Sequence, residues 1–497
     1  MASVTVMVNT LPRSWFDSRI LMARVFIGAS ETGKSRLRHV GGALSVAVVS
    51  VGLCAPVSAE TISNALARAY SYSPDLNQQR AGARSVDENM PNALSGYRPT
   101  VTGTVDAGRA WLDQHAGSSA KSPGDSRSST NPRGAGLTVT QNIWNGNRTM
   151  NGVDRAETQI FAAREQLRLS EQNVLSGAAT AYMNVLRDTA ILNLRRNNVE
   201  VLEQQLRQTR DRFQVGEVTR TDVAQSEASL AQGQADAFTA QSNLQTSIAN
   251  YRSSIGDEPK NLQPARPLDK LIPPSLQAAI GMSEVEHPGL QAARFTAEAA
   301  RIYVKVVEGQ LYPTLGLTGT LSRRHDVVST PDTTTNTASV VASLSVPIYE
   351  GGAVYSSVRQ AKELFQQSQL QADLQRETIR AQVVSAWGVW SNSSAVIQAA
   401  QAQVRAAEIA LNGVREEAKV GQRTTLDVLN AQQTLLNARV LLVTAQRDRV
   451  VGSYSMVAAS GRLSANTLGL DVVPYDPTVH YNQVKGKWIG TGTPDGR

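Results

Sequence analysis

Cysteine is all but missing from this 497-residue chain: there is one, Cys54, and it lies in a segment that reads as removable. Arg36, Arg38 and His39 precede an apolar stretch from about Gly41 to Ala55, followed by Val57, Ser58 and Ala59, small residues of the kind a signal peptidase cuts after. Cleavage there makes Glu60 the expected mature start, with Met22 as an alternative initiation site in a more ordinary leader. The mature chain would then hold no thiol, disulfide or Cys-based metal site. Leu53 rather than a small residue precedes Cys54, which excludes a lipid anchor on that thiol. Excess charge is lacking as well. Residues 1–59 contain six Lys/Arg and two Asp/Glu, so +4 of the formal +7 leaves with them, and the remaining +3 gives no footing for a nucleic-acid partner. Histidine is sparse: His115, His287, His325 and His480 are scattered without the spacing of ligands on one helix or loop. With no cysteine nucleophile either, no enzyme, metal or other cofactor is expected.

The leader does contain Gly28-Ala29-Ser30-Glu31-Thr32-Gly33-Lys34-Ser35, a match to the phosphate-cradling pattern G-x-x-x-x-G-K-[ST]. Its context fails, because the helix that should follow is the export signal and no alternating strand and helix series follows that. The motif is read as accidental.

What the chain does have is a duplication. FQVGEVTRTDVAQSEASL (Phe213 to Leu230) aligns without a gap on AKVGQRTTLDVLNAQQTL (Ala418 to Leu435), an offset of 205 that also places NIWNGNR (from Asn142) on PIYEGGA (from Pro347). Upstream, SPDLNQQR (from Ser73) matches HPGLQAAR (from His287) at an offset of 214. So long a period means a duplicated unit rather than a solenoid, whose repeats run to roughly 20–50 residues. The expected organisation is a leader at 1–59, a first repeat at 60–256, a linker at 257–274, a second repeat at 275–470 and a polar, poorly ordered tail at 471–497. Each repeat reads helix, strand, loop, strand, long helix, tip, helix.

The strands follow from alternation. Val101, Gly103, Val105, Ala107 and Trp111 alternate with Thr100, Thr102, Thr104 and Asp106, and Leu137, Val139 and Ile143 with Thr138, Thr140 and Asn142. The second copy does the same with Leu315, Leu317 and Leu321, then Val340, Ala342, Leu344, Val346 and Ile348. Polar loops join each pair, His115 to Gly134 and Val327 to Thr337. Strands of about ten residues with one apolar and one Thr/Ser face suit a membrane barrel. Tyr97, Trp144, Tyr312 and Tyr349 stand at the helix-side strand ends, where an interfacial aromatic girdle is expected. A soluble sandwich with aromatic caps is the alternative.

From Thr149 to Phe213 there is no proline, and Val185, Leu192, Val199, Leu206 and Phe213 recur at sevens, the spacing of a coiled coil. Val223, Leu230, Ala237, Leu244 and Tyr251 repeat it on the return; Ile397, Val404 and Leu411, then Val428, Leu435 and Leu442, repeat it in the second copy. A helix of that length makes a rod of roughly 98 Å, too long for a compact globule, so it needs neighbours along its length. A soluble antiparallel coiled coil would satisfy the heptads alone. Four strands cannot close a barrel, since the smallest have about eight, so closure needs several chains.

VGEVTRTDV and VGQRTTLDVLNAQQTLLNAR, at the tips of paired helices in a duplicated, exported chain with two hairpins, resemble the TolC family of outer-membrane efflux and secretion channels. The resemblance implies an α+β membrane protein: a trimeric outer-membrane β-barrel, four strands per chain and twelve in total, continued by a long periplasmic α-helical barrel of coiled coils. It implies the exit channel of a tripartite efflux pump or type I secretion system, carrying drugs, toxic compounds or secreted proteins. Its partners would be a periplasmic adaptor and an inner-membrane transporter of RND, ABC or MFS type, with residues 257–274 in an equatorial belt. An exported trimeric coiled-coil adhesin or scaffold is the competing class.

Asp427 and Asn430 are spaced i, i+3 and share one helix face. They are the candidate pore constriction, where the resembled family commonly has two aspartates and this chain has one aspartate and one amide. Asp222 and Arg423, with Thr219, are the candidate entrance lock, opposite charges where the coiled coils converge. Ala418 stands where the family usually has a tyrosine partner for that lock. Val215, Gly216, Thr219, Val420, Gly421, Arg423 and Thr424 are the candidate adaptor contacts, and Tyr97, Trp144, Tyr312 and Tyr349 the membrane-interface aromatics.

Overall fold

The computed structural model of the chain describes residues 60–114, 126–326, 332–494 and 496. The expected export signal, Cys54, the Gly28 to Ser35 motif, His115 and the centres of both polar loops lie outside the described residues. In chain order, α1 (Ile62–Tyr72), α2 (Pro74–Asp87) and α3 (Asn89–Leu94) lead into β1 (Thr100–Ala107), β2 (Ala110–Gln114), β3 (Ser126–Thr130) and β4 (Arg133–Trp144). Then come α4 (Arg148–Gln214), α5 (Arg220–Ile255), α6 (Leu276–Glu286), α7 (Pro288–Glu308), β5 (Thr314–His325), β6 (Thr334–Ser345), α8 (Ala353–Lys419), α9 (Thr425–Ala459) and α10 (Pro477–Val484). The protein is helix-rich with a small sheet, and none of the described helices is long and apolar enough to cross a membrane.

The duplication is visible in how helices start. The Ser73 hydroxyl accepts from Leu76 N and Pro74 takes the first position of α2, where the N–H it lacks would have no helical partner. In the second half His287 and Pro288 play the same parts for α7. The His287 Nδ1 accepts from Gly289 N at 3.1 Å, and burial lowers the ring's pKa to about 4, so it caps as the neutral imidazole.

Four strands form one antiparallel sheet in the order β1-β4-β5-β6. The first hairpin departs from expectation. The chain breaks after Ala107, and β2 leaves the main sheet to pair with β3 as a separate ribbon, so part of the expected loop is strand. Asp113 lies opposite Arg127 there, and the two side chains pair at 3.2 Å. Strand β3, Ser-Arg-Ser-Ser-Thr, is polar on both faces, and the adjacent Trp111 and Leu112 of β2 point to opposite faces, so the ribbon has no hydrophobic alternation of its own. In the second hairpin β6 starts at Thr334, inside the expected loop, and ends at Ser345, short of Val346 and Ile348. Pro347 lacks the N–H a longer ladder would need.

The long helices pair as expected, α4 with α5 and α8 with α9, and α4 also packs against α7 and α9. At 67 residues, α4 and α8 are each about 100 Å long. Val185, Leu192 and Leu206 are buried and Val199 half-buried, but Phe213 at the end of the series is exposed. On α5 the fully buried seam is a different set of sevens, Ser226, Gly233, Ala240 and Ser247, set beside the half-buried Val223, Leu230, Ala237 and Leu244. On α8 the counterparts are Ser393, Ala400 and Ala407. A Cβ added to Gly233 would come within 2.7 Å of Leu202 Cδ1. Small residues therefore set the closest approach of the helices, and the larger ones flank it.

A core of Leu66, Tyr70, Leu76, Leu175, Tyr182, Tyr251, Ile255, Tyr454 and Leu463 joins α1, α2, α4, α5, α9 and the following segment. The connection 257–275 lies over it: Leu268 N donates to Ser453 Oγ at 3.0 Å, and the Tyr182 hydroxyl lies 2.8 Å from the Glu60 carbonyl oxygen and 2.7 Å from that of Gln263. The expectation of a poorly ordered tail does not hold. Tyr475 N donates to the Tyr70 hydroxyl at 2.9 Å, α10 packs on α2 through His480 and buried Asp87 at 2.9 Å, and Arg98 donates to the Lys487 carbonyl and lies over Trp488. These anchors are too widely spaced to give a periodic signal in a polar segment.

Candidate functional site

The two tips are built from the same local chemistry. At the first, α4 ends in a turn where Gly216 N donates to Phe213 O and Glu217 N to Arg212 O; at the second, Gly421 N donates to Ala418 O and Gln422 N to Glu417 O. These paired bonds are the Schellman pattern, which needs a left-handed residue; Gly216 and Gly421 have φ of 83° and 80°. Each following helix opens with a reciprocal capping box. Asp222 N donates to the Thr219 hydroxyl oxygen, and Asp222 Oδ2 accepts from Thr219 N at 2.9 Å and from its Oγ1 at 2.7 Å. Thr424 and Asp427 repeat this, with Asp427 Oδ2 accepting from Thr424 N at 3.0 Å and Oγ1 at 2.9 Å. Those bonds from Thr424 hold the Asp427 carboxyl below the usual carboxylate range.

The structure thus gives Asp222 and Asp427 a local role as helix caps, and it does not bring Asp222 and Arg423 together within the chain. The Arg423 Nε donates to Glu417 Oε2 at 2.8 Å, and that carboxylate, followed by Asp427, raises its pKa. Glu417 is the partner that sequence reasoning missed. The available signal was a carboxylate six residues before an arginine across a glycine turn. At the equivalent position the first tip has the opposite sign, Arg212 donating to Glu217 at 3.0 Å. Asn430 is exposed one turn beyond Asp427. Val215 and Val420 are 72% and 71% exposed, which leaves an apolar side chain facing outward at each tip.

At the other end of the helices the sheet register sorts side chains by face. One face holds the rows Thr102-Thr138-Thr320-Ser339 and Thr104-Gly136-Ser322-Thr337. The other holds Val101-Val139-Gly319-Val340 and Gly103-Leu137-Leu321-Ala338. Tyr97, Trp144, Tyr312 and Tyr349 are all exposed beside the helix-side ends of the strands, and Trp144 Nε1 donates to Asn147 Oδ1 at 3.2 Å. Gly146 and Asn147, both left-handed, turn the chain from β4 into α4. Gly146 is so close to the end of α7 that a Cβ on it would lie 2.2 Å from the Gly309 carbonyl oxygen.

Comparison with known proteins agrees with this geometry. The sequence profile of the outer membrane efflux protein family matches residues 62–257 and 279–462, one stretch in each half. The outer membrane efflux protein BepC of Brucella suis is 40% identical over 438 residues, 88% of this chain and 93% of that protein. The outer membrane protein TolC of Escherichia coli is 26% identical over 354 residues, 68% of this chain and 71% of that one. Among solved structures, the Campylobacter jejuni CmeC outer membrane channel shares the fold with a TM-score of 0.73 at 17% identity, over 86% of this chain and 89% of that one. The chain belongs to the outer membrane efflux protein family and is an efflux channel of the outer membrane.

Proposed function

We propose that three copies close into one duct, a twelve-stranded barrel continued by a tube of long helices, which serves as the exit of a tripartite efflux or type I secretion assembly. The observation that carries this is the pair of free sheet edges. Every residue of β1 and β6 is exposed, and the strand order makes them run in opposite directions. A twelve-residue unpaired edge is a template for another strand, and β6 of one copy against β1 of the next continues an all-antiparallel ring. Two copies would give eight strands, a barrel whose interior side chains just fill; three leave a lumen. The Val and Leu face then meets lipid, the Thr/Ser face lines water, and the four aromatics mark the helix-side interface.

In this reading residues 60–256 and 275–470 act as two similar staves per copy, with 257–274 lying across them. The tips are the periplasmic entrance. Asp427 would contribute a ring of three carboxylates and Asn430 a ring of amides one turn farther in, while Asp222 and Arg423 approach each other between neighbouring copies. Val215, Gly216, Thr219, Val420, Gly421, Arg423 and Thr424 form the surface offered to a periplasmic adaptor, which couples the duct to an inner-membrane transporter.

A carboxylate ring attracts cations and can hold polyvalent ones that plug the pore. In planar bilayers the protein is expected to conduct with cation preference and modest block by divalent and trivalent cations. Asp427→Asn should abolish that block and Asn430→Asp strengthen it. Selectivity and block unchanged in Asp427→Asn would remove Asp427 from the pore, and no conductance from the native protein would refute the duct.

A further inference from the structure

The end of the sheet remote from the helices carries a charge pattern that conduction does not use. Followed away from Trp144 and Leu315, the aliphatic face passes Leu317, Val139 and Leu137 and then changes character: Arg323 lies opposite Ala135, and His325 opposite Arg133. The two-residue period of a strand puts Arg133, Arg323 and His325 on the same face as Leu137, Val139 and Leu321. From Leu315 to Arg323 the strand advances about 26 Å, close to the roughly 25 Å height of the apolar band of an outer-membrane barrel. The arginines therefore stand at the far edge of that band, as the aromatics stand at the near one.

Arg133 and Arg323 are exposed, and among the described residues neither has an ion pair or side-chain hydrogen bond. Three of the described carboxylates in this region are engaged elsewhere. Asp106 pairs with Arg324 on the opposite, Thr/Ser face at 2.9 Å; Asp326 Oδ1 accepts from Asp332 N at 2.8 Å; Asp113 pairs with Arg127 at 3.2 Å. The His325 Nδ1 lies 2.8 Å from Thr334 Oγ1. Arg133 and Arg323 are diagonal neighbours, within reach of each other's long side chains, and their like charges repel unless an anion lies between them. The two faces differ here: the arginine on the water-lining face is neutralised by the protein, and those on the lipid-facing face are not.

We propose that Arg133 and Arg323, with His325 beside them, bind the phosphate-bearing headgroup of a glycolipid in the outer leaflet, whose acyl chains lie along Leu137, Val139 and Leu321. Guanidinium groups suit phosphate because they can donate two parallel hydrogen bonds to it. A lipid rather than a soluble anion is the occupant, because the cations continue the hydrocarbon-facing surface. This rests on the lipid-facing reading of the aliphatic face. The test is native mass spectrometry of the intact purified assembly with bisphosphorylated lipid A, its dephosphorylated form and inorganic phosphate, with bilayer conductance measured on the same samples. The Arg133→Gln/Arg323→Gln variant should bind bisphosphorylated lipid A at least about tenfold more weakly, with conductance unchanged. Arg324→Gln should bind it normally, dephosphorylated lipid should bind no better than to the double variant, and excess phosphate should not displace the lipid. Equal binding by native protein and double variant, with conductance intact, overturns the site and leaves the channel standing. Displacement by free phosphate overturns the lipid and makes it a soluble-anion site. A native protein without conductance sinks the channel reading itself.

Discussion

The helices α4 and α8 have the same length, the same place in the two repeats and the same turn chemistry at their ends, yet α4 buries more than twice as many residues as α8. The difference lies in neighbours. Within the chain α4 is covered by α1, α2, α3, α5, α7 and α9, while α8 meets chiefly α6, α7 and α9. What α8 leaves uncovered is apolar: Leu364, Leu370, Leu374, Val384, Val389, Val396 and Ile409 are all exposed. At the positions equivalent to Leu370 and Leu374, α4 has Glu165, ion-paired to Arg168, and a half-buried Leu169. The corner glycines show the same asymmetry. Gly146 is pressed against Gly309, whereas a Cβ on its counterpart Gly351 would meet nothing within 4 Å. The second repeat is less covered than the first within the chain, and in the proposed ring a neighbouring copy would cover it.

The largest expected effect follows from that face. Leu370→Glu together with Leu374→Glu puts two carboxylates on the face that the proposed ring packs against another copy, and should leave folded monomers in detergent by sedimentation. An intact assembly would mean that α8 faces water. Next, Gly146→Ala should lower the thermal midpoint of the unassembled chain more than Gly351→Ala. Both incur the strain of a left-handed alanine, but only the first meets a backbone oxygen, an overpacking cost of about 1–3 kcal/mol. Equal shifts in the monomer would erase the asymmetry.

The helix caps that join α1 to α2 and α6 to α7 give a third contrast, because one is serine and the other histidine. Folding holds the His287 pKa near 4, below its ordinary 6.5. The stability this represents is present above about pH 6.5 and is lost as pH falls toward 4. By pH 5 the loss should reach about 2 kcal/mol. His287→Asn keeps a capping side chain without a titrating ring, so its stability should fall less between pH 7 and pH 5 in chemical denaturation. A parallel fall in both proteins would place the pH dependence elsewhere. The smallest effect is expected at the tips. Arg212 with Glu217 and Glu417 with Arg423 are exposed pairs, screened by water, so Arg423→Ser should barely move the unfolding midpoint while raising resting conductance and dye leakage. Conductance unchanged in both Arg423→Ser and Asp222→Ala would reduce these residues to turn chemistry.

The parts legible in the sequence were those whose signal is local and periodic. The glycine turns with their Thr and Asp caps, the Thr/Val strand alternation and the length of α4 are set by neighbours a few residues away. Asp427 also carries a local signal, Thr424 three residues before it, which the structure shows as a reciprocal capping box. Glu417 was overlooked because the turn, not the helix period, brings it to Arg423. Ser226, Gly233, Ala240 and Ser247 carry no large apolar side chain to mark them, although they keep a strict period and set the closest helix approach. Residues β2, β3 and α10 use as anchors, such as Asp113 with Arg127 and His480 with Asp87, are paired across the fold and leave no pattern along the chain.

The closed ring of three is tested most directly by a disulfide scan between the free edges. Within one chain β1 and β6 are separated by two strands, about 14 Å, whereas a disulfide needs Cα atoms within about 7 Å. A bond from a cysteine at Thr102 to one at Ser339, Val341 or Ser343 must therefore join different copies. With Cys54 removed with the leader or by substitution, oxidation of the best-placed pair should convert the protein in its membrane to covalent species that end at three chains. Monomers from every pair, or a ladder ending at another number, would contradict a twelve-stranded barrel.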